Sequence, residues 1–129
     1  MPPVITPLYA GLLALLFLVL TFRVIGYRRA QRLNLGDHGD KEMLKRIRAH
    51  GNFAEYTPLG LLLLLLAELQ GAPALALHLT GIALLAGRIA HAYGVSTSPQ
   101  NFGRQIGMLL TLGMIALTAL GVIGHALTG

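Results

Sequence analysis

Arg48-Ala49-His50-Gly51-Asn52-Phe53-Ala54-Glu55-Tyr56-Thr57-Pro58 runs straight into Leu59-Gly60-Leu61-Leu62-Leu63-Leu64-Leu65-Leu66-Ala67, and the two halves read as one helix. The second half is as apolar as a membrane span. In the first, Glu55 is the only full charge between Arg48 and Glu68. At about 1.5 Å of rise per residue, Glu55 lies roughly 10 Å deeper than Arg48. Taking a carboxylate out of water costs several kcal/mol unless it is paired. Glu55 therefore requires a partner.

The remainder of the chain shares this balance. Over 129 residues it is 54% hydrophobic and 12% charged, with a mean hydropathy of +0.66. Those values predict one membrane domain covering residues 1–129. A formal charge of +5 raises the question of nucleic acid. The basic residues, however, sit between apolar blocks, with no aromatic-interleaved basic strip and no nucleic-acid motif, so no nucleic-acid partner is expected. There is no Cys, which excludes a disulfide, a cysteine nucleophile and a thiolate metal site. Any thiol chemistry must use a thiol carried by a ligand.

Four runs reach the roughly 20 apolar residues a helical span needs. They predict an all-α, integral membrane four-helix bundle with spans at about 3–27, 43–69, 73–93 and 102–127. Arg23, Arg28, Arg29 and Arg32 follow the first apolar run, where a signal peptide would place positive charge before it. A retained first helix is expected. Leu33 to Asp40 and Gly94 to Asn101 supply the turn formers of two connectors on one face, and Gln70-Gly71-Ala72-Pro73 a short turn on the other. Pro58 removes the partner of the Ala54 carbonyl, either as a tolerated kink or as a bend that shapes a pocket beside Glu55. His78 reads as a hydrogen-bonded interior group near the far interface, and His125 as interfacial.

Charge placement supports this count. Eight of the ten Lys and Arg residues lie between Arg23 and Arg48, and Arg88 and Arg104 flank the second connector. With four spans every one falls on the same face. The positive-inside rule makes that face cytoplasmic and both termini non-cytoplasmic. In a bacterium the membrane would be the cell inner membrane.

Positions 48, 52 and 55 share a helical face, as do 88 and 91 on the third span. Arg48, Arg88 and Arg104 then gather near one membrane face with Glu55 below them. One reading is a closed network in which Arg88 neutralises Glu55 and the other arginines snorkel to the interface. The other is a net positive pocket for a zwitterionic ligand that carries more carboxylates than amines. An extended tripeptide spans about the 10 Å between Arg48 and Glu55. No metal is expected: His50, His91 and Glu55 lack metal-ligand spacing and neighbouring arginines repel a cation. Gly103-x-x-x-Gly107 would let two helices approach closely.

Arg48-Ala49-His50-x-Asn52-x-x-Glu55-Tyr56-x-Pro58 resembles the second-helix signature of the MAPEG family, the membrane-associated proteins in eicosanoid and glutathione metabolism. Gly87-Arg88-x-x-His91 resembles that family's third-helix motif, and Arg104 falls where its fourth-helix arginine is expected. The chain looks most like the short bacterial branch.

The resemblance implies a homotrimer that binds glutathione between neighbouring subunits near the cytosolic face. Arg48, Asn52, Glu55, Arg88 and His91 would hold the tripeptide, with His50 and Tyr56 of the same motif beside them. Glu55 would take the ammonium and the arginines the carboxylates, with Arg28 or Arg32 as candidates for a further carboxylate contact. Arg104 would be catalytic, stabilising a thiolate that attacks a lipophilic electrophile or reduces a lipid hydroperoxide. The implied activity is that of a membrane glutathione transferase or peroxidase in detoxification. Its partners would be glutathione as co-substrate, a hydrophobic small molecule or lipid, and membrane lipid. The alternative is a non-catalytic relative that binds lipid or a partner. A proton-coupled carrier ranks third, since no inverted repeat supports it. Phe53 stands where many relatives carry Asp, Gly51 where the prostaglandin-forming branch has Arg, and Val95 where several have Tyr. These departures weigh against an eicosanoid synthase.

Overall fold

The computed structural model describes residues 2–97 and 102–129. They form α1 (Ile5–Gln31), α2 (Lys41–Leu69), α3 (Ala74–Thr97) and α4 (Phe102–Thr128), with no strand among the described residues. Each helix is long and apolar enough to cross a bilayer. Of the second expected connector, Gly94 to Thr97 continue α3 as helix, and Ser98 to Asn101 lie outside the described residues.

α1 outlasts its apolar run. Arg28 and Arg29 occupy its last turn, where cations favour a helix C-terminus. Arg32 then turns left-handed at φ 54°, and the Leu33 amide closes the helix onto the Arg28 carbonyl at 2.9 Å. The Arg28 side chain donates to the carbonyls of Asn34 and Gly36 at 2.7 and 2.8 Å, so it holds the first connector in place. Asp40 caps α2 by accepting from the Met43 amide at 2.9 Å and from the Tyr27 hydroxyl at 3.0 Å. The Met43 N–H, aided by Tyr27, keeps the Asp40 carboxyl below its ordinary range.

At the opposite membrane face, the first residues of α1 lack a cap of their own. Glu68, in the last turn of α2, supplies one. Its carboxylate accepts from the amides of Val4, Ile5 and Thr6 at 2.9, 2.8 and 2.7 Å. An acid deep in a hydrophobic sequence thereby satisfies three amides that no helix can satisfy internally. Nearby, the Tyr9 hydroxyl lies 2.7 Å from His78 Nδ1, giving His78 the interior hydrogen bond expected of it.

Helices α3 and α4 pack backbone against backbone. A Cβ on Gly107 would land on the Gly87 carbonyl oxygen and on His91, and one on Gly94 would strike the backbone of Gly103 and Arg104. The close approach foreseen from Gly103 and Gly107 is made, with α3 glycines as the other half of the contact. Leu13, Leu20, Phe53, Leu84, Val95 and Met114 form the main core. The outer surface is equally apolar, with Leu15, Leu117 and Leu120 exposed. A bilayer, not water, is the solvent that such a surface fits.

Candidate functional site

The close packing of α3 on α4 brings the polar ends of α2, α3 and α4 around one cavity. It has a volume of about 660 Å³ and is lined by Lys41, Leu44, Lys45, Arg48, Asn52, His91, Val95, Arg104 and Met108. Lys41, Lys45, Arg48 and Asn52 recur at helical spacing along one stripe of α2. Four cations therefore face the cavity, and no carboxylate lines it.

Beneath it lies Arg88, only 1% exposed. Its guanidinium donates to the Asn52 side-chain oxygen, makes a long 3.5 Å contact with the Thr111 hydroxyl, and stands over the Phe53 ring at 5.9 Å. A buried guanidinium is expensive unless its N–H groups are used. Here an amide, a hydroxyl and an aromatic face share that task, although Arg88 Nε is left without a partner among the described residues. Phe53 thus gives Arg88 a π face where a carboxylate would have given it an ion pair. His91, 4% exposed, lines the cavity with Nδ1 unpartnered among the described residues. Buried polar atoms without a partner call for an explanation, and an occupant of the neighbouring cavity is one.

Of the residues singled out in the sequence, Arg48, Asn52, His91 and Arg104 meet in this cavity, and Arg88 supports it from behind through Asn52. His50, Glu55 and Tyr56 do not line it. His50 turns toward α1, stacks on Phe17 and lies 3.1 Å from the Thr21 hydroxyl. Tyr56 is half-buried one turn below Asn52.

Glu55 corrects one expectation. The pairing of Glu55 with Arg88 is not made: Glu55 is exposed on the outer surface of α2 and has no ion pair among the described residues. The physical reason is the order of the α2 faces. Asn52 points inward far enough to intercept Arg88, and Glu55 lies just around the helix from it. Lys41 and Lys45 were not singled out in the sequence, although their four-residue spacing and Arg48 three residues further on carried the signal. Val95, where several relatives have Tyr, contributes an apolar wall. Tyr93, 67% exposed, points away.

Four helices able to span a membrane, with a cationic cavity at their charged end, define a small polytopic membrane protein. The sequence profile of the MAPEG family matches residues 6–124. The chain belongs to the MAPEG family, and it is a multi-pass membrane protein. It is similar to the inner membrane protein YecN of Escherichia coli strain K12, at 43% identity over 90 residues, covering 70% of this chain and 69% of that one. The YecN of Escherichia coli O6:H1 strain CFT073 matches to the same extent.

Proposed function

We propose that the chain is a glutathione-dependent transferase of the bacterial inner membrane, assembled as a homotrimer with its cavity facing the cytosol and both termini on the other side. The observation that carries this reading is the cavity with four cationic side chains, no lining carboxylate and the unpartnered His91 Nδ1. Glutathione offers two carboxylates for those cations, together with one ammonium that needs an anion. Glu55 is that anion. Exposed on a single chain at membrane depth, it is a carboxylate in search of a partner, and a neighbouring copy brings it beside a bound ligand. The proposed orientation follows from every Lys and Arg lying at the end of the bundle that holds the cavity.

Arg104 supplies the chemistry. A cysteine-type thiol titrates near ~8.5. A cation about 4 Å away, at an effective dielectric near 20, contributes roughly 4 kcal/mol before desolvation. Lowering the thiol pKa by about two units takes roughly 2.7 kcal/mol, so one guanidinium suffices. The thiol proton leaves to solvent, the thiolate forms a carbon–sulfur bond with the electrophile, and the leaving group departs with its electron pair. Having no Cys, the chain contributes no competing thiol.

Calorimetric titration of the purified protein with glutathione, and the ultraviolet absorbance of its thiolate, test this directly. Saturable binding with a thiolate band at neutral pH is expected, with turnover of a dinitrohalobenzene. Binding of lipid without glutathione would leave the non-catalytic alternative.

A further inference from the structure

Lys41 and Lys45 line the cationic cavity, and neither makes an ion pair among the described residues. The chain holds five Asp and Glu residues, and each is engaged or turned elsewhere. Asp37 accepts from the Gly39 amide, Asp40 caps α2 and takes the Tyr27 hydroxyl, and Glu42 pairs with Arg46 at 2.9 Å. Glu68 caps α1 at the far face, and Glu55 lies on the outer surface of α2. An unpaired lysine on an open surface is ordinary. Two on the wall of a cavity that no carboxylate lines make a surface for an anion.

Depth sets this pair apart from the glutathione of the proposed function, on which the inference rests. A three-fold axis along the membrane normal keeps Glu55 of every copy at one depth. From there an extended tripeptide, about 10 Å long, reaches Arg48. Lys45 stands about 4.5 Å and Lys41 about 10 Å further toward the start of α2, so Lys41 lies beyond the tripeptide. Charge points the same way. Glutathione as a thiolate brings three anionic groups and an ammonium that Glu55 cancels, and the four lining cations still exceed those anions by one.

The apolar lining describes the body of the ligand. It consists of Leu44 beside the lysines, Val95 on α3 and Met108 on α4. Three such side chains fit a ring or a short chain, and they do not make the channel that a long acyl chain needs. The lysines also lie at the end of the bundle where the basic residues gather, so water and not hydrocarbon brings the ligand to them.

We infer that the electrophile joined to glutathione is a compact organic acid, taken from the aqueous side, whose carboxylate is held by Lys41 and Lys45. Its body lies on Leu44, Val95 and Met108, with the reacting carbon toward the thiolate. The thiol proton goes to solvent, the thiolate forms the carbon–sulfur bond, and the leaving group departs with its electron pair. The family resemblance implied a lipophilic acceptor, whereas this wall selects an acid.

The test compares a chlorodinitrobenzoate with the matching chlorodinitrobenzamide on the full chain in phosphatidylcholine nanodiscs. Each rate is divided by that of the same reagent with glutathione in buffer. An acceleration about tenfold greater for the acid is expected, carried by KM and weakened by salt. Lys41→Gln with Lys45→Gln should bring that ratio to about one, and Lys41→Arg with Lys45→Arg should keep it. Glutathione titration of both variants identifies a misfolded protein. Equal acceleration of acid and amide by wild type that binds glutathione would overturn this inference and leave the transferase reading standing. A ratio unchanged by the two Gln substitutions would do the same. Absence of glutathione binding would overturn both. Native mass spectrometry supplies the remaining arm: phosphatidylglycerol retained by wild type and lost with the two Gln substitutions would make a lipid phosphate the occupant, and the inference would fall.

Discussion

Asn52 accepts a hydrogen bond from Arg88 at a depth where no carboxylate pairs with the guanidinium among the described residues. The contact ties the middle of α2 to α3 and sets the floor of the cationic cavity. It also places a structural demand and a binding demand on one amide.

Those demands can be separated. Asn52→Leu leaves Arg88 buried without its acceptor and is expected to cost about 1.5–3 kcal/mol of stability. Replacing both partners, as Asn52→Leu with Arg88→Met, should restore stability to within about 1 kcal/mol, because the buried charge goes with its acceptor. Thermal unfolding in detergent measures the first effect. Glutathione titration should show binding lost in both variants, so recovered stability without recovered affinity identifies the pair as part of the site.

Glu55 makes the opposite prediction. Among the described residues it touches no charged partner, so Glu55→Gln should leave the unfolding temperature of the isolated bundle unchanged. If it holds the ammonium of glutathione, affinity should fall about tenfold or more, the scale of a charge-assisted contact. Wild-type affinity in a correctly assembled Glu55→Gln protein would remove this residue from the site.

Arg104→Ala addresses the chemistry. The proposed role predicts loss of the thiolate band and a drop in kcat of at least about tenfold, with glutathione still bound. The activity lost should return as pH rises toward the free thiol value near ~8.5, since the thiolate then forms unaided. A pH-independent deficit would point to a packing role.

Glu68→Ala tests the cap across the bilayer. Removing the shared acceptor of Val4, Ile5 and Thr6 should cost about 0.5–2 kcal/mol, the range for lost helix caps. Hydrogen exchange should quicken in the first turn of α1, with the far end at Tyr27 and Asp40 unaffected.

Helix count, and the gathering of Arg48, Asn52, His91 and Arg104 at one end of the bundle, were legible in the sequence because both follow from period and charge. Apolar runs gave the four helices, and the spacing of Arg48 and Asn52 gave the lining of one wall. What was not legible depends on how helices rotate against one another. The outward turn of Glu55 and the turn of His50 toward Phe17 are set by which face of α2 packs on α1, and periodicity does not choose between adjacent faces. Glu68 was overlooked for a related reason. Its partners are backbone amides more than sixty positions away, and no side-chain motif announces them. Arg28 likewise satisfies carbonyls of its own connector, a contact invisible to side-chain chemistry.

Gly107 joins the architecture to the site. A methyl group there would press on the Gly87 carbonyl oxygen and on the His91 backbone and Cβ, none of which can rotate away. Gly107→Ala should therefore force α4 from α3 and cost about 1–3 kcal/mol, as overpacking does. Gly113, on the same helix, has nothing within 4 Å of a built Cβ, so Gly113→Ala should be neutral or stabilising by up to about 1 kcal/mol. Because His91 and Arg104 line the cavity from the two helices that Gly107 holds together, the clash should also weaken glutathione binding. Unfolding temperature and affinity falling together in Gly107→Ala, with both preserved in Gly113→Ala, is the expected result. Stability lost with affinity intact would mean that the cavity does not depend on the α3–α4 contact.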